Sequence, residues 1–327
     1  MIIAVDAAGG DYFPENPVKG SLDAVKEMDD LTIVLVGPED LINKELSKHE
    51  FDKQRILVQH APEVIEMDES PAQAVKTKQN SSIVKGVGMH KAGKCHAFVS
   101  AGNTGALLAA STFLLGKLKG VSRPTIAAVY PTTKGVRLML DVGANLEVRP
   151  EMFVQFAQMG TIFATEIMGI DDPKVGLLNV GEEKEKGTED LKEAFKELKS
   201  LPNFIGNIEG RDVFSAKADI FLCDGLVGNL LLKLGESIPN ALEVFIKKGV
   251  QKLQLGQQEA QLVGKVLKAS LQEFNPDRVG GVPFLGVDGV SIVGHGSSSP
   301  LAMKNMILGA AKCVTHNINE KIVASLN

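Results

Sequence analysis

Short apolar runs alternate with longer segments of helical period along this chain of 327 residues. Nine runs read as strands: "IIAVD" at the start, "LTIVLVG" from Leu31, "RILVQH" from Arg55, "CHAFVSAG" from Cys95, "TIAAVYP" from Thr125, "VRLMLDVG" from Val136, "KVGLLNVG" from Lys174, "ADIFLCDG" from Ala218 and "GVSIVGHG" from Gly289. Most are apolar throughout rather than alternating, as in strands covered on both faces. Interleaved with helical segments, they predict an α/β protein with a mostly parallel sheet. The turn Pro-Thr-Thr-Lys-Gly inside "TIAAVYPTTKGVRLMLD" can also close a hairpin. No low-complexity linker and no fixed-period repeat divides the chain, so residues 1–327 read as a single domain.

The polar positions carry a second pattern. Strand after strand ends in small and polar residues: "VDAAGGD", "SAGNTG", "LDVGAN", "LNVGEE", "CDGLVGN" and "GHGSS". Open parallel sheets bind ligands at the carboxyl ends of their strands. Glycines let backbone approach a ligand, and each following helix offers N–H groups suited to an anion. Six such ends predict one shared cleft.

Composition narrows the chemistry. Hydrophobic residues make up 44% and charged residues 23%, with a formal net charge of -5. This is a folded protein without the cationic excess that general nucleic-acid binding needs. Cys95, Cys223 and Cys313 form no C-x-x-C pair and read as reduced, apolar cysteines. The histidines are scattered, with no metal-ligand spacing. No signal peptide, lipidation signal or membrane-spanning run is evident, which predicts a cytoplasmic protein. "DAAGGD" lacks the G-x-G-x-x-G of a dinucleotide site, and "GMHKAGKC" has Cys in place of the Ser or Thr of a phosphate loop and precedes a strand. The latter reads as a helix end with a Gly cap. "GHGSSS" lacks the spacing of a nucleophile elbow.

The six strand ends, in this order, resemble the bacterial phosphate acyltransferases of phospholipid synthesis, the PlsX-type family. "AVDAAGGD" is similar to the family's "AVDAMGGD", with Ala8 where Met is usual. "FVSAGNTGALLA", "LDVGAN", "PEMFVQFAQMG", "VGLLNVGEE", "NFIGNIEGRD", "CDGLVGN" and "VGHGSS" match further family blocks, and "RVGGVPFLGVDG" varies on "YGGAPLLGVNG". The resemblance runs nearly end to end. It implies a three-layer α/β/α sandwich like that of isopropylmalate dehydrogenases and phosphotransacetylases, a homodimer and no cofactor. The implied reaction moves a long-chain acyl group from acyl carrier protein to inorganic phosphate. The product would feed an acyl-phosphate-using glycerol-3-phosphate acyltransferase of the membrane.

That chemistry needs a held phosphate, a stabilised carbonyl oxygen and a protonated leaving thiolate, and positioning with electrostatics can supply all three. Asn103, Thr104 and Gly105 would cradle phosphate at a helix N-terminus, or Asn103 and Thr104 cap that helix. His295 would donate to the oxyanion or protonate the thiolate. In "GEEKEKGTED", Lys186 would neutralise phosphate and Glu182 orient it. Asp6, Gly9, Gly10 and Asp11, Asp141 and Asn145, and Asp224 and Asn229 complete the rim. Their carboxylates would orient cations or accept from backbone. Lys233 is a further candidate cation.

From Ser237 to Phe274 the character changes to five lysines against three acids, a local charge of +2. Apolar residues share helical faces on either side of Gly256, predicting an amphipathic helical hairpin over 237–274. Its lysines Lys247, Lys248, Lys252, Lys265 and Lys268, with Leu253 and Leu255 at the tip, would meet the inner membrane surface or acyl carrier protein, or the hairpin would pack on the body or a second subunit. The family's peripheral membrane association favours the membrane surface. Two other readings stand beside this one: a phosphotransacetylase acting on short acyl-CoA, and a non-catalytic membrane scaffold for lipid enzymes.

Overall fold

Among the described residues, eleven strands pair into one sheet in the order β3-β2-β1-β4-β11-β10-β5-β6-β9-β7-β8. In this computed structural model every residue is described except 279 and 327, with 273 and 276 described in their backbone only. The strands are β1 (Ile2–Asp6), β2 (Thr32–Gly37), β3 (Ile56–His60), β4 (Ala97–Ser100), β5 (Thr125–Thr132), β6 (Gly135–Leu140), β7 (Val175–Leu178), β8 (Phe204–Ile208), β9 (Ile220–Leu222), β10 (Val282–Leu285) and β11 (Val290–Val293). The helices are α1 (Glu15–Glu27), α2 (Glu39–Leu46), α3 (Pro71–Thr77), α4 (Ser82–Lys91), α5 (Thr104–Ala110), α6 (Pro150–Glu166), α7 (Glu189–Leu198), α8 (Gly210–Ser215), α9 (Gly225–Lys252), α10 (Gln257–Ser270), α11 (Pro300–Thr315) and α12 (Ile318–Ser325).

The period-two geometry of a strand sends neighbouring side chains to opposite faces. Ile3 and Val5, Ala97 and Val99, and Leu138 and Leu140 join one core, together with residues of α1, α6, α7, α11 and α12. Ala4, Phe98 and Met139 join a second core with residues of α3, α4 and α5. Both faces are covered, so the molecule is a three-layer α/β/α sandwich, as expected. All nine predicted strands form. Two more were not legible. β8 carries Gly206 at φ +105° and a register shift opposite β7, and β10 carries Pro283. Glycine and proline inside a short run mask a strand. "GMHKAGKC" ends α4, with Gly93 at φ +69° and the Lys94 N–H bonded to the Met89 carbonyl.

Strand direction corrects the expectation of one shared cleft. β3, β2, β1, β4 and β11 run parallel. β10 is antiparallel to both β11 and β5, and β5 and β6 form the hairpin that the Pro-Thr-Thr-Lys-Gly turn permits. β6, β9, β7 and β8 are mutually parallel and therefore run opposite to the first block. The ends of β1, β4 and β11 lie at one edge of the sheet. Those of β6, β7 and β9 lie at the other. From β11 to β6 the lateral separation is three strand spacings, about 14 Å.

Candidate functional site

At the first edge, Asp6 ends β1 with its carboxylate buried. Oδ2 accepts from the Ser100 hydroxyl at 2.6 Å and Oδ1 from the Ala8 N–H at 3.0 Å. Burial pushes this carboxyl above the usual carboxylate range, against the hydrogen bonds that lower it. Asp6 thus shapes the loop after β1. A Cβ on Gly9 would sit 2.5 Å from Asp6 Oδ2 and 2.8 Å from the Gly102 nitrogen, so only glycine lets the loops after β1 and β4 meet. Gly10 has φ +91°, and the Asp11 N–H bonds the Gly296 carbonyl at 2.7 Å, tying in the loop after β11.

Asn103 takes the capping role. Its Oδ1 accepts from the Ala106 N–H at 2.9 Å, while Nδ2 donates to the carbonyls of Glu66, Met67 and Glu69 at 3.0, 3.3 and 3.2 Å. The side chain is therefore committed to pinning the 66–69 loop, and what remains for a ligand here is the exposed Thr104 and the helix start at Gly105. His295 is exposed. Its Nδ1 accepts from the Ser297 N–H at 3.3 Å and lies 2.8 Å from the Ser297 hydroxyl. With Nδ1 accepting, the neutral ring carries its proton on Nε2.

The second edge repeats the design. Asp141, fully buried after β6, accepts from the N–H groups of Gly143, Ala144 and Asn145 at 3.1, 3.0 and 2.7 Å. It also accepts from Asn145 Nδ2 at 2.7 Å, and burial raises its pKa. Asn145 further donates to the Pro124 carbonyl at 2.8 Å. Asp224 caps α9 by accepting from the Val227 N–H at 2.8 Å. Asn229 is exposed beside Gly143. A cavity of about 770 Å³ opens here, lined by Asn145 and Asp224 and by two residues that the motif reading missed, Arg123 and Arg149. Neither arginine stands in a glycine-rich strand end; Arg149 closes the loop after β6, and the antiparallel pairing of β5 with β6 brings Arg123 to the same edge.

Two candidate roles change with the structure. Glu182 is ion-paired with Lys217 at 2.7 Å, so it does not orient phosphate as a free carboxylate. Lys233 pairs with Glu236 at 2.9 Å and is not a free cation. Lys186 is exposed and has no side-chain partner among the described residues. The three cysteines are buried and free.

The 237–274 segment lies in two successive helices, with Gly256 at the N-cap of α10, and α9 starts at Gly225 and continues through Pro239. It begins against Asn145 at the second edge and passes Tyr130 of β5 at Gly235. Its 28 residues span about 42 Å, and the eight of β5 about 27 Å, so its far end stands beyond the first edge. The chain returns where Phe274 meets Phe214 at 6.3 Å. α10 buries no residue, and Leu253 is 71% exposed at the tip.

The family described as "Fatty acid synthesis protein" matches residues 1–321. The phosphate acyltransferase of Chlorobaculum parvum is 48% identical over 338 residues, covering 100% of this chain and 99% of that protein. That of Halothermothrix orenii is 41% identical, covering 100% and 99%. This chain belongs to the phosphate acyltransferase family. It is an enzyme of fatty acid and phospholipid synthesis. A phosphotransacetylase from Streptococcus pyogenes superposes with a TM-score of 0.63 at 16% identity, covering 96% of this chain and 94% of that one. A 4-hydroxythreonine-4-phosphate dehydrogenase from Klebsiella pneumoniae gives 0.54 at 13% identity, with 95% and 97% covered. At those identities the likeness is one of fold. A phosphate acyltransferase needs seats for phosphate and an acyl donor, and both edges of this sheet present glycine-opened loops built on a buried aspartate.

Proposed function

We propose that this phosphate acyltransferase takes its acyl group, a long-chain fatty acyl, from acyl carrier protein and delivers it to inorganic phosphate. A phosphate oxygen attacks the thioester carbonyl carbon, the C–S bond breaks, and the leaving thiolate takes a proton, giving acyl-phosphate and free carrier thiol. His295 Nε2–H is the donor for the carbonyl oxygen or the thiolate. Thr104 and the backbone at Gly105 assist at the same edge, whereas Lys186 and Asn229 stand at the opposite edge and do not reach this step. No cofactor is required. The product would pass to an acyl-phosphate-using glycerol-3-phosphate acyltransferase.

The observation that carries this reading is the hairpin. It projects beyond the edge that bears His295 and carries Lys247, Lys248, Lys252, Lys265 and Lys268 beside exposed Phe245, Leu253, Leu262 and Val266. A free acyl-CoA enzyme has no need of such a surface, whereas an acidic carrier and a lipid headgroup layer both match it. Among the described residues no helix is long and apolar enough to cross a membrane. Contact is accordingly peripheral, at the inner face of the cell membrane. Leu226, Leu230 and Leu234 form an exposed stripe on the first half of α9, where a second copy would pack to make a homodimer.

Long-chain acyl carrier protein and phosphate, mixed with the purified enzyme, should yield acyl-phosphate that hydroxylamine traps, with matching release of carrier thiol. Product from short acyl-CoA but none from the carrier would instead make this a phosphotransacetylase. Replacing Leu253 and Leu255 together with Asp should weaken partition onto anionic vesicles roughly tenfold or more, since two apolar anchors are lost. Unchanged sedimentation with vesicles would place the contact away from the tip.

A further inference from the structure

We propose that the cavity at the second edge is a phosphate-group site whose ligands are the guanidinium groups of Arg123 and Arg149. The chain has six arginines. Arg55 donates to the carbonyls of Val25, Met28 and Leu31. Arg137 pairs with Asp219 at 2.7 Å and Arg211 with Glu209 at 3.0 Å, and Arg278 is also engaged. The two left without a side-chain partner among the described residues are Arg123 and Arg149, and both line this one cavity.

Their isolation is not for want of carboxylates. Glu147, Glu151, Asp190 and Asp224 line the same cavity, yet neither arginine forms an ion pair within 4 Å. Asp224 is engaged at the start of α9, while Glu151 and Asp190 sit in the first turns of α6 and α7, where acids complement the helix ends. Both arginines are exposed, and neither guanidinium forms an ion pair with these acids.

Four acids against two arginines rule out a diffuse positive field as the source of binding. A ligand must be captured at short range. A phosphate group suits that, since its oxygens accept two parallel N–H bonds from each guanidinium. The backbone adds donors: the N-cap position of the 17-residue α6 is Arg149 itself, and no side chain caps the helix. Leu146, exposed on the cavity lip, offers an apolar strip beside the anion seat.

The proposal rests on the acyl-transfer reading only for the identity of the ligand, which supplies two phosphate groups, the acceptor itself and the phosphodiester of the carrier's phosphopantetheine arm; because the cavity lies at the edge opposite His295, an acceptor phosphate that reacts from this seat meets the thioester here and not at His295. Arg123→Gln and Arg149→Gln, at exposed positions, should leave thermal unfolding unchanged. Direct binding by titration calorimetry, with inorganic phosphate and separately with 4′-phosphopantetheine as probe, tests the site without turnover. Each variant should lose at least tenfold affinity for one probe, and a Lys replacement should restore part of it. The affected probe names the source, with a matching rise in KM for phosphate or for acyl carrier protein. If both probes bind the variants as they bind the wild-type enzyme, or if neither binds the wild-type enzyme saturably, the assignment is wrong. Arginine-dependent binding by an enzyme that forms no acyl-phosphate would overturn the reaction and leave the site standing.

Discussion

His295→Ala is expected to lower acyl-phosphate formation about a hundredfold, the lower end of what a positioned proton donor contributes. The ring is exposed at the end of β11 and, among the described residues, hydrogen-bonds only to Ser297, so the fold does not rest on it. Nδ1 faces Ser297, which leaves Nε2–H directed outward as a donor. The effect should fall on kcat rather than on KM for phosphate, because a group that stabilises developing charge acts in the transition state. His295→Gln keeps a donor without the proton-transfer capacity and should retain more activity than the alanine variant. Steady-state rates with long-chain acyl carrier protein decide it. A folded alanine variant that turns over at the wild-type rate would remove His295 from the chemistry.

Gly228→Ala should be the most destabilising single methyl in α9, at about 3 kcal/mol. The added Cβ would lie 1.8 Å from the Asp141 carbonyl oxygen and 2.9 Å from Cys223 Sγ. The first of these is backbone and cannot swing aside, so the helix start must lift from the ends of β6 and β9. That movement also disturbs the loop whose N–H groups Asp141 holds. Gly249→Ala, in the same helix, meets nothing within 4 Å and should stabilise by about 0.5–1 kcal/mol through helix propensity alone. Urea unfolding of both variants checks the pair, and a shift of the same sign in both would contradict this packing account.

Much of this was legible because it is local. A strand buried on both faces is apolar in sequence, a helix start needs a cap, and a loop that approaches another backbone needs glycine. Asp6, Gly9, Gly10, Asp141, Asn145 and Asp224 each declared themselves by standing where a strand ends, and the structure gives each a place in a strand-end loop. Asn103 declared itself too, but local pattern could not separate its two roles. The distant 66–69 loop, whose carbonyls take its amide donors, decides for pinning over free ligand capture. Glu182 and Lys233 likewise looked available until their partners Lys217 and Glu236 were in place.

The sequence by itself determined the layers, the nine apolar strands, the helix break at Gly256, the family and hence the reaction class. Tertiary structure decided where those pieces face. β10 and the β5–β6 hairpin reverse the sense of the sheet, so six similar strand ends divide between two edges, and strand direction is set by pairing across the sheet rather than by any run of residues. The same pairing carries Arg123, at the start of β5, to the loop after β6 and to Arg149 at the head of α6. Two arginines 26 positions apart have no shared motif in the sequence. They share a cavity because antiparallel pairing places the start of one strand beside the end of the next.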